Sequence, residues 1–225
     1  MNRSKSLGVA LASVLLGGGA LALAGFTLAS NVPHQAQLRC VPDATAMNTC
    51  GLNFSVFPDS LAGEHGKAGG SHPDWVSYSN QNLRVPANTT VVVTIKQYDS
   101  GGALNNSYFA NVFGTVGGTA TVDGKVVSQV DPNNIGHTFT LRGIPGTGSH
   151  LFVSVPIPAN ENADNSVKIG DGVYSKPIVV KFSFKTGSKG VYQWNCEFPC
   201  GGSRIGQFGE AMGTYGYMSG TLNVE

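Results

Sequence analysis

The chain has 225 residues, a formal net charge of +1 and only 12% charged residues, a length that suits one all-β domain with long loops once an export segment is set aside. So little charge excludes nucleic-acid binding, which needs a concentrated Lys/Arg face to displace counterions. With 31 glycines and few helix-favouring runs, the chain reads as turn-rich β structure.

Arg3 and Lys5 precede an apolar run over residues 7–29, the order of an export signal whose basic end stays in the cytoplasm. Residues 1–30 are therefore expected to be a hydrophobic helix, either a cleaved signal peptide or a retained membrane anchor. Both alternatives put the domain outside the cytoplasm. Residues 31–50 read as a linker with a short loop bracketed by Cys40 and Cys50, whose separation suits a local disulfide in an oxidising compartment. The domain proper is expected over 51–225.

Within it, residues 51–57 alternate as a first strand ended by Pro58-Asp59. The Gly-rich stretch 61–73 carries His65 and His72, which are either solvated loop histidines or residues able to reach a metal. Pro86-Ala-Asn88 supplies a turn before a long β-branched strand over 90–98, closed by Asp99-Ser-Gly-Gly102. A hairpin is expected with Asp123-Gly124 at its tip. Asn88-Thr-Thr90 and Asn105-Asn-Ser107 match glycosylation acceptors and read as polar turns.

In the strand over 135–141, Ile135, His137, Phe139 and Leu141 point one way. A His on such a face is either a ligand at the end of the domain or a core His with a hydrogen bond; His150, in the loop that follows, reads as solvent-exposed. The stretch 151–158 stops at prolines and suits an edge strand, whereas 159–172 reads as a polar loop. A strand over 178–184 then leads to Val191-Tyr-Gln-Trp-Asn-Cys196, which puts Tyr192, Trp194 and Cys196 on one face.

The C-terminal run holds the chemistry. Cys196 and Cys200 open a Gly-rich loop that closes at Gly216-Tyr217-Met218, with Met212 inside it. Thiolate and thioether groups at both ends of a loop between strands are what a protein needs to hold copper. Two cysteines in an exported chain can equally form a disulfide, and a Met in a strand is often core.

Met218-Ser-Gly220-Thr-Leu-Asn-Val224 resembles the close of the cupredoxins, and Cys196-Glu-Phe-Pro-Cys200-Gly201 resembles the Cys pair of the dinuclear copper domain in cytochrome oxidase subunit II. Gly136-His137-Thr-Phe139-Thr resembles the strand that carries the first His ligand of the family, and residues 82–98 resemble its opening strand. The resemblance implies an all-β, cupredoxin-like Greek-key sandwich with copper held by His137, Cys196 and Cys200 and, weakly, by Met218. It also implies electron transfer to a respiratory or other redox protein, with the chain an accessory to an oxidoreductase more than an enzyme by itself. The sequence departs from the dinuclear pattern at Arg204 and Gln207, where a His and a Met stand, and no His follows His150. A guanidinium has no lone pair to offer a metal. The alternative is thus a metal-free binding or scaffolding module of the same fold, closed by a Cys196–Cys200 disulfide. No Walker loop, Rossmann fingerprint, nucleophile elbow or His-Glu-x-x-His zinc motif occurs.

Overall fold

A computed structural model describes residues 37–58, 75–101, 105–144, 150–164, 166–170, 172–200, 210–213 and 216–225. The expected export segment, His65 and His72, and Arg204 and Gln207 all lie outside the described residues.

Fifteen strands carry the described chain: β1 (Gln37–Arg39), β2 (Val41–Pro42), β3 (Thr49–Phe57), β4 (Ser77–Tyr78), β5 (Asn82–Val85), β6 (Thr90–Gln97), β7 (Ala120–Val122), β8 (Lys125–Val127), β9 (Ile135–Gly143), β10 (Phe152–Pro158), β11 (Val167–Ile169), β12 (Gly172–Tyr174), β13 (Ile178–Lys185), β14 (Gly190–Asn195) and β15 (Ser219–Val224). A 3-10 turn (Val116–Gly118) and a short α-helix, α1 (Glu210–Gly213), interrupt them. The first large sheet runs β1-β5-β15-β14-β9-β10, and the second runs β2-β3-β6-β13-β7-β8 with β4 added on β3. Most pairs are antiparallel; β1/β5, β5/β15 and β3/β6 are parallel.

The two sheets pack face to face, because alternate residues of their strands are apolar on the inner side. In β6, Val91, Val93 and Ile95 are fully buried. Phe139 of β9 meets Phe54 of β3 and Phe182 of β13 across the interface, each at 5.8 Å between ring centroids, and stacks on Trp194 of its own sheet at 5.4 Å. Each such side chain, taken fully from water, contributes about 1.5–3 kcal/mol. The all-β sandwich expected from the sequence is therefore the observed architecture.

Several local expectations hold for stated reasons. Asp123 and Gly124 both adopt positive φ (46° and 81°), the geometry that lets a two-residue turn match the twist of β7 and β8. The proline-bearing β10 ends its sheet, where a missing N–H breaks no ladder between two strands. Elsewhere the chain differs. The stretch 159–172, read as a loop, contains β11 and leads into β12, a small hairpin whose Val167, Ile169 and Tyr174 cover Phe57 and Tyr98. Residues 37–42, within the stretch read as a linker, add β1 to one sheet and β2 to the other. The Cys40–Cys50 disulfide forms where the chain passes between them.

Candidate metal centre

The start of β9, the ends of β6 and β14, and the start of β15 bring the candidate site residues together. Antiparallel pairing of β14 with β9 sets Asn195 opposite Thr140, so continuing that register brings Cys196 to the level of Phe139 and Glu197 to the level of Thr138. Two bonds lock that register: the Thr138 N–H points at Cys196 Sγ (3.4 Å), and the Glu197 N–H donates to Thr138 Oγ1 (2.8 Å). A chain of main-chain bonds then ties the loop together. Ala211 N–H donates to the Cys200 carbonyl (3.0 Å), Met218 N–H to the Ala211 carbonyl (3.2 Å) and Cys196 N–H to the Met218 carbonyl (2.9 Å).

His137, Cys196 and Cys200 converge. One ligand atom from each lies within 4.8 Å of the others, and all three residues are buried. His137 Nδ1 is 3.1 Å from Cys200 Sγ and 3.9 Å from Cys196 Sγ, and the two sulfurs are 3.3 Å apart as free cysteines. The disulfide of the alternative reading is therefore not present. Met218, the fourth predicted residue, is fully buried at the mouth of the loop with its backbone bonded to Cys196. Met212, on α1, is half-buried against the main core. His150 is exposed, as expected.

The charges within the trio follow from its hydrogen bonds. Cys196 Sγ accepts from two main-chain N–H groups, Thr138 and Phe198 (3.4 Å each), and the Phe198 carbonyl lies 3.1 Å from Cys200 Sγ and 3.6 Å from Cys196 Sγ. Burial disfavours an anionic Cys196, yet hydrogen bonds from Cys200 and His137, the imidazolium charge and the Thr138 N–H together pull its pKa well below that of an ordinary thiol. Cys200 moves the other way: its hydrogen bond to Cys196, its burial and the negative charges of Cys196 and Asp99 push it up. Burial also opposes a charged His137, but hydrogen bonds to Asp99 and Cys196 and their charges raise its pKa to about 9. These interactions favour an imidazolium at His137, a thiolate at Cys196 and a neutral thiol at Cys200. The Tyr78 hydroxyl, bonded to the Thr138 carbonyl at 3.0 Å, is held neutral by burial and by the nearby sulfurs.

Sequence reasoning missed Asp99. Its Oδ2 lies 2.6 Å from His137 Nε2, on the side of the ring away from the sulfurs. Read in the sequence only as the end of a strand, it stands 38 residues from His137, and no local spacing announces the pair.

As a donor set, one imidazole nitrogen and two thiol sulfurs suit soft or borderline metals such as copper and do not suit hard cations, which take oxygen ligands. The residues present therefore fit copper.

No protein-family model matches this chain, and no curated protein matches it. Among solved structures, auracyanin B is similar over 83% of this chain and 94% of its own, at 16% identity and a TM-score of 0.34. Rusticyanin from Thiobacillus ferrooxidans is similar over 80% of this chain and 84% of its own (13% identity, TM-score 0.33). Auracyanin A, a "blue" copper protein from Chloroflexus aurantiacus, is similar over 79% and 99% (12% identity, TM-score 0.34). The chemistry of the present site follows from its own donor atoms.

Proposed function

We propose that the protein is an extracytoplasmic, cupredoxin-like copper-binding protein that serves in electron transfer, with His137, Cys196 and Cys200 as ligands and Met218 as a weak axial ligand. The observation that carries this reading is the burial of an imidazole nitrogen and two unbonded sulfurs within 4.8 Å of one another at one pole of the sandwich. Bound copper would supply one-electron chemistry there. The chain's own contribution is a preset geometry: main-chain bonds from Thr138, Glu197, Ala211 and Met218 fix the loop, so little rearrangement accompanies a change of oxidation state. Phe198 within the loop, and Trp194 and Tyr78 in the core that adjoins it, are buried and keep water from the sulfurs.

The Cys40–Cys50 disulfide supports an oxidising compartment, in keeping with export directed by residues 1–30. Among the described residues no helix is long and apolar enough to cross a membrane, so a membrane attachment would come from that segment if it is retained. The electron partner is a respiratory or other redox protein, and an oxidase-associated role is the finer form of this reading.

The test is copper uptake by the reduced, purified protein. Stoichiometric binding with a thiolate-to-copper absorption band that disappears in Cys200→Ser but survives in Cys40→Ser is the expected result. Failure of the reduced protein to bind copper at all would overturn the proposal.

A further inference from the structure

We propose that Asp99 is a positioning residue for the metal centre, its carboxylate holding His137 so that Nδ1 is the nitrogen presented to metal, and its charge biasing bound copper toward the oxidised state. The inference rests on the copper reading and concerns a residue outside the ligand set.

The geometry assigns the roles without ambiguity of direction. A carboxylate only accepts hydrogen bonds, so the 2.6 Å contact places a proton on His137 Nε2. The opposite ring nitrogen, Nδ1, faces both sulfurs. In the neutral ring, the tautomer with Nε2–H bonded to Asp99 is the one that leaves a lone pair on Nδ1, the thiol side, where a metal would be held. The contact also removes the freedom of the ring to turn about its Cβ–Cγ bond, which would carry Nδ1 away from the sulfurs.

Asp99 is itself held from three directions. Its Oδ2 also accepts the Gly101 N–H (2.8 Å), and its carbonyl accepts the Asn160 N–H (3.1 Å). Gly101 takes a left-handed conformation (φ 64°), and a Cβ there would stand 2.6 Å from the Cα of Gly136, the residue before His137. The Asp99 turn is thus pressed directly on the strand that carries the ligand, and only glycine permits the approach. The Asp99 side chain is 13% exposed and His137 2%, so solvent screens the pair poorly. A fixed negative charge one imidazole away from the metal favours the more positive oxidation state.

Three readouts test this. In metal-free protein with 15N-labelled histidine, His137 should show a strongly downfield proton on Nε2 that Asp99→Ala removes. Cu(I) affinity, measured by competition with a chromophoric chelator, should fall about 10–100-fold in Asp99→Ala, whereas Asp99→Asn, which keeps an acceptor oxygen, should stay within about threefold of wild type. The midpoint potential of Asp99→Asn should nonetheless rise, an effect that loss of mere structural support does not produce. Wild-type Cu(I) affinity in Asp99→Ala, or an unchanged potential in Asp99→Asn, would overturn the Asp99 proposal while leaving copper binding intact. A downfield Nε2 proton in a wild-type protein that takes up no copper would instead overturn the copper reading, and the metal-positioning role with it.

Discussion

The Cys196 N–H donates to the carbonyl of Met218 at 2.9 Å, so the first and last residues of the sulfur-bearing loop are clasped through the main chain and independently of their side chains. Changing the side chain of Met218 should therefore leave the loop closed. Met218→Leu conserves volume and should cost less than about 1.5 kcal/mol, with the copper band retained and its midpoint potential shifted. Met218→Ala should lose about 2–5 kcal/mol through the cavity it leaves in a fully buried position. Urea unfolding and voltammetry on the two variants separate packing from ligation, and an unshifted potential in Met218→Leu would remove Met218 from the ligand set.

Copper binding should be strongly pH-dependent. At neutral pH the metal must displace one proton from His137, whose pKa is raised to about 9, and one from Cys200, whose pKa is raised as well. Affinity should climb by up to about two powers of ten per pH unit below pH 9, measured by chelator competition with proton release followed by an indicator.

The metal-free protein should follow a different curve. Below pH 6.5 the unfolded chain carries protons on His137, Cys196 and Cys200, while the folded chain lacks the one on Cys196, which is lowered. Stability contributed by the site therefore rises with pH in that range. Between about pH 6.5 and 8.5 the folded state holds its proton on His137 and the unfolded state on Cys196. The counts match and the curve flattens. At higher pH an unfolded Cys200 ionises but a folded one does not, so stability falls. Thermal midpoints across this range check the shape, and Cys196→Ser should shrink the acid limb relative to wild type.

Phe139 joins the two sheets, touching Phe54, Phe182 and Trp194. Phe139→Ala should cost about 3–5 kcal/mol, a large share of the stability of a single domain, and should lower copper uptake only through unfolding. Cys40→Ser with Cys50→Ser should cost about 2–4 kcal/mol by freeing the loop they close, with the copper band unchanged. Guanidinium titrations of metal-free protein would measure both.

The strands that build the pole were legible because their signals are local. Alternation marks β3, β9 and β14, β-branched residues mark β6, and Asp123-Gly124 marks its hairpin. Cys196, Cys200 and His137 were legible as residue types able to bind metal. What was hidden depends on pairings between distant segments. β1 has only three residues and gains its place by parallel pairing with β5, and β11 is recognisable only through the aromatic cluster it covers. Asp99 lies beyond the end of β6, and its partner is brought to it by the sandwich as a whole, so neither composition nor periodicity distinguishes it from any other strand-ending aspartate.

The placement of β15 between β5 and β14 has a consequence for assembly. Until those six residues insert, β1 and β5 have no connection to the remainder of their sheet, and the carbonyl that clasps Cys196 is not in position. The geometry around the two thiols is thus completed only when the segment from Met218 to Val224 takes its place, however early the other strands have paired.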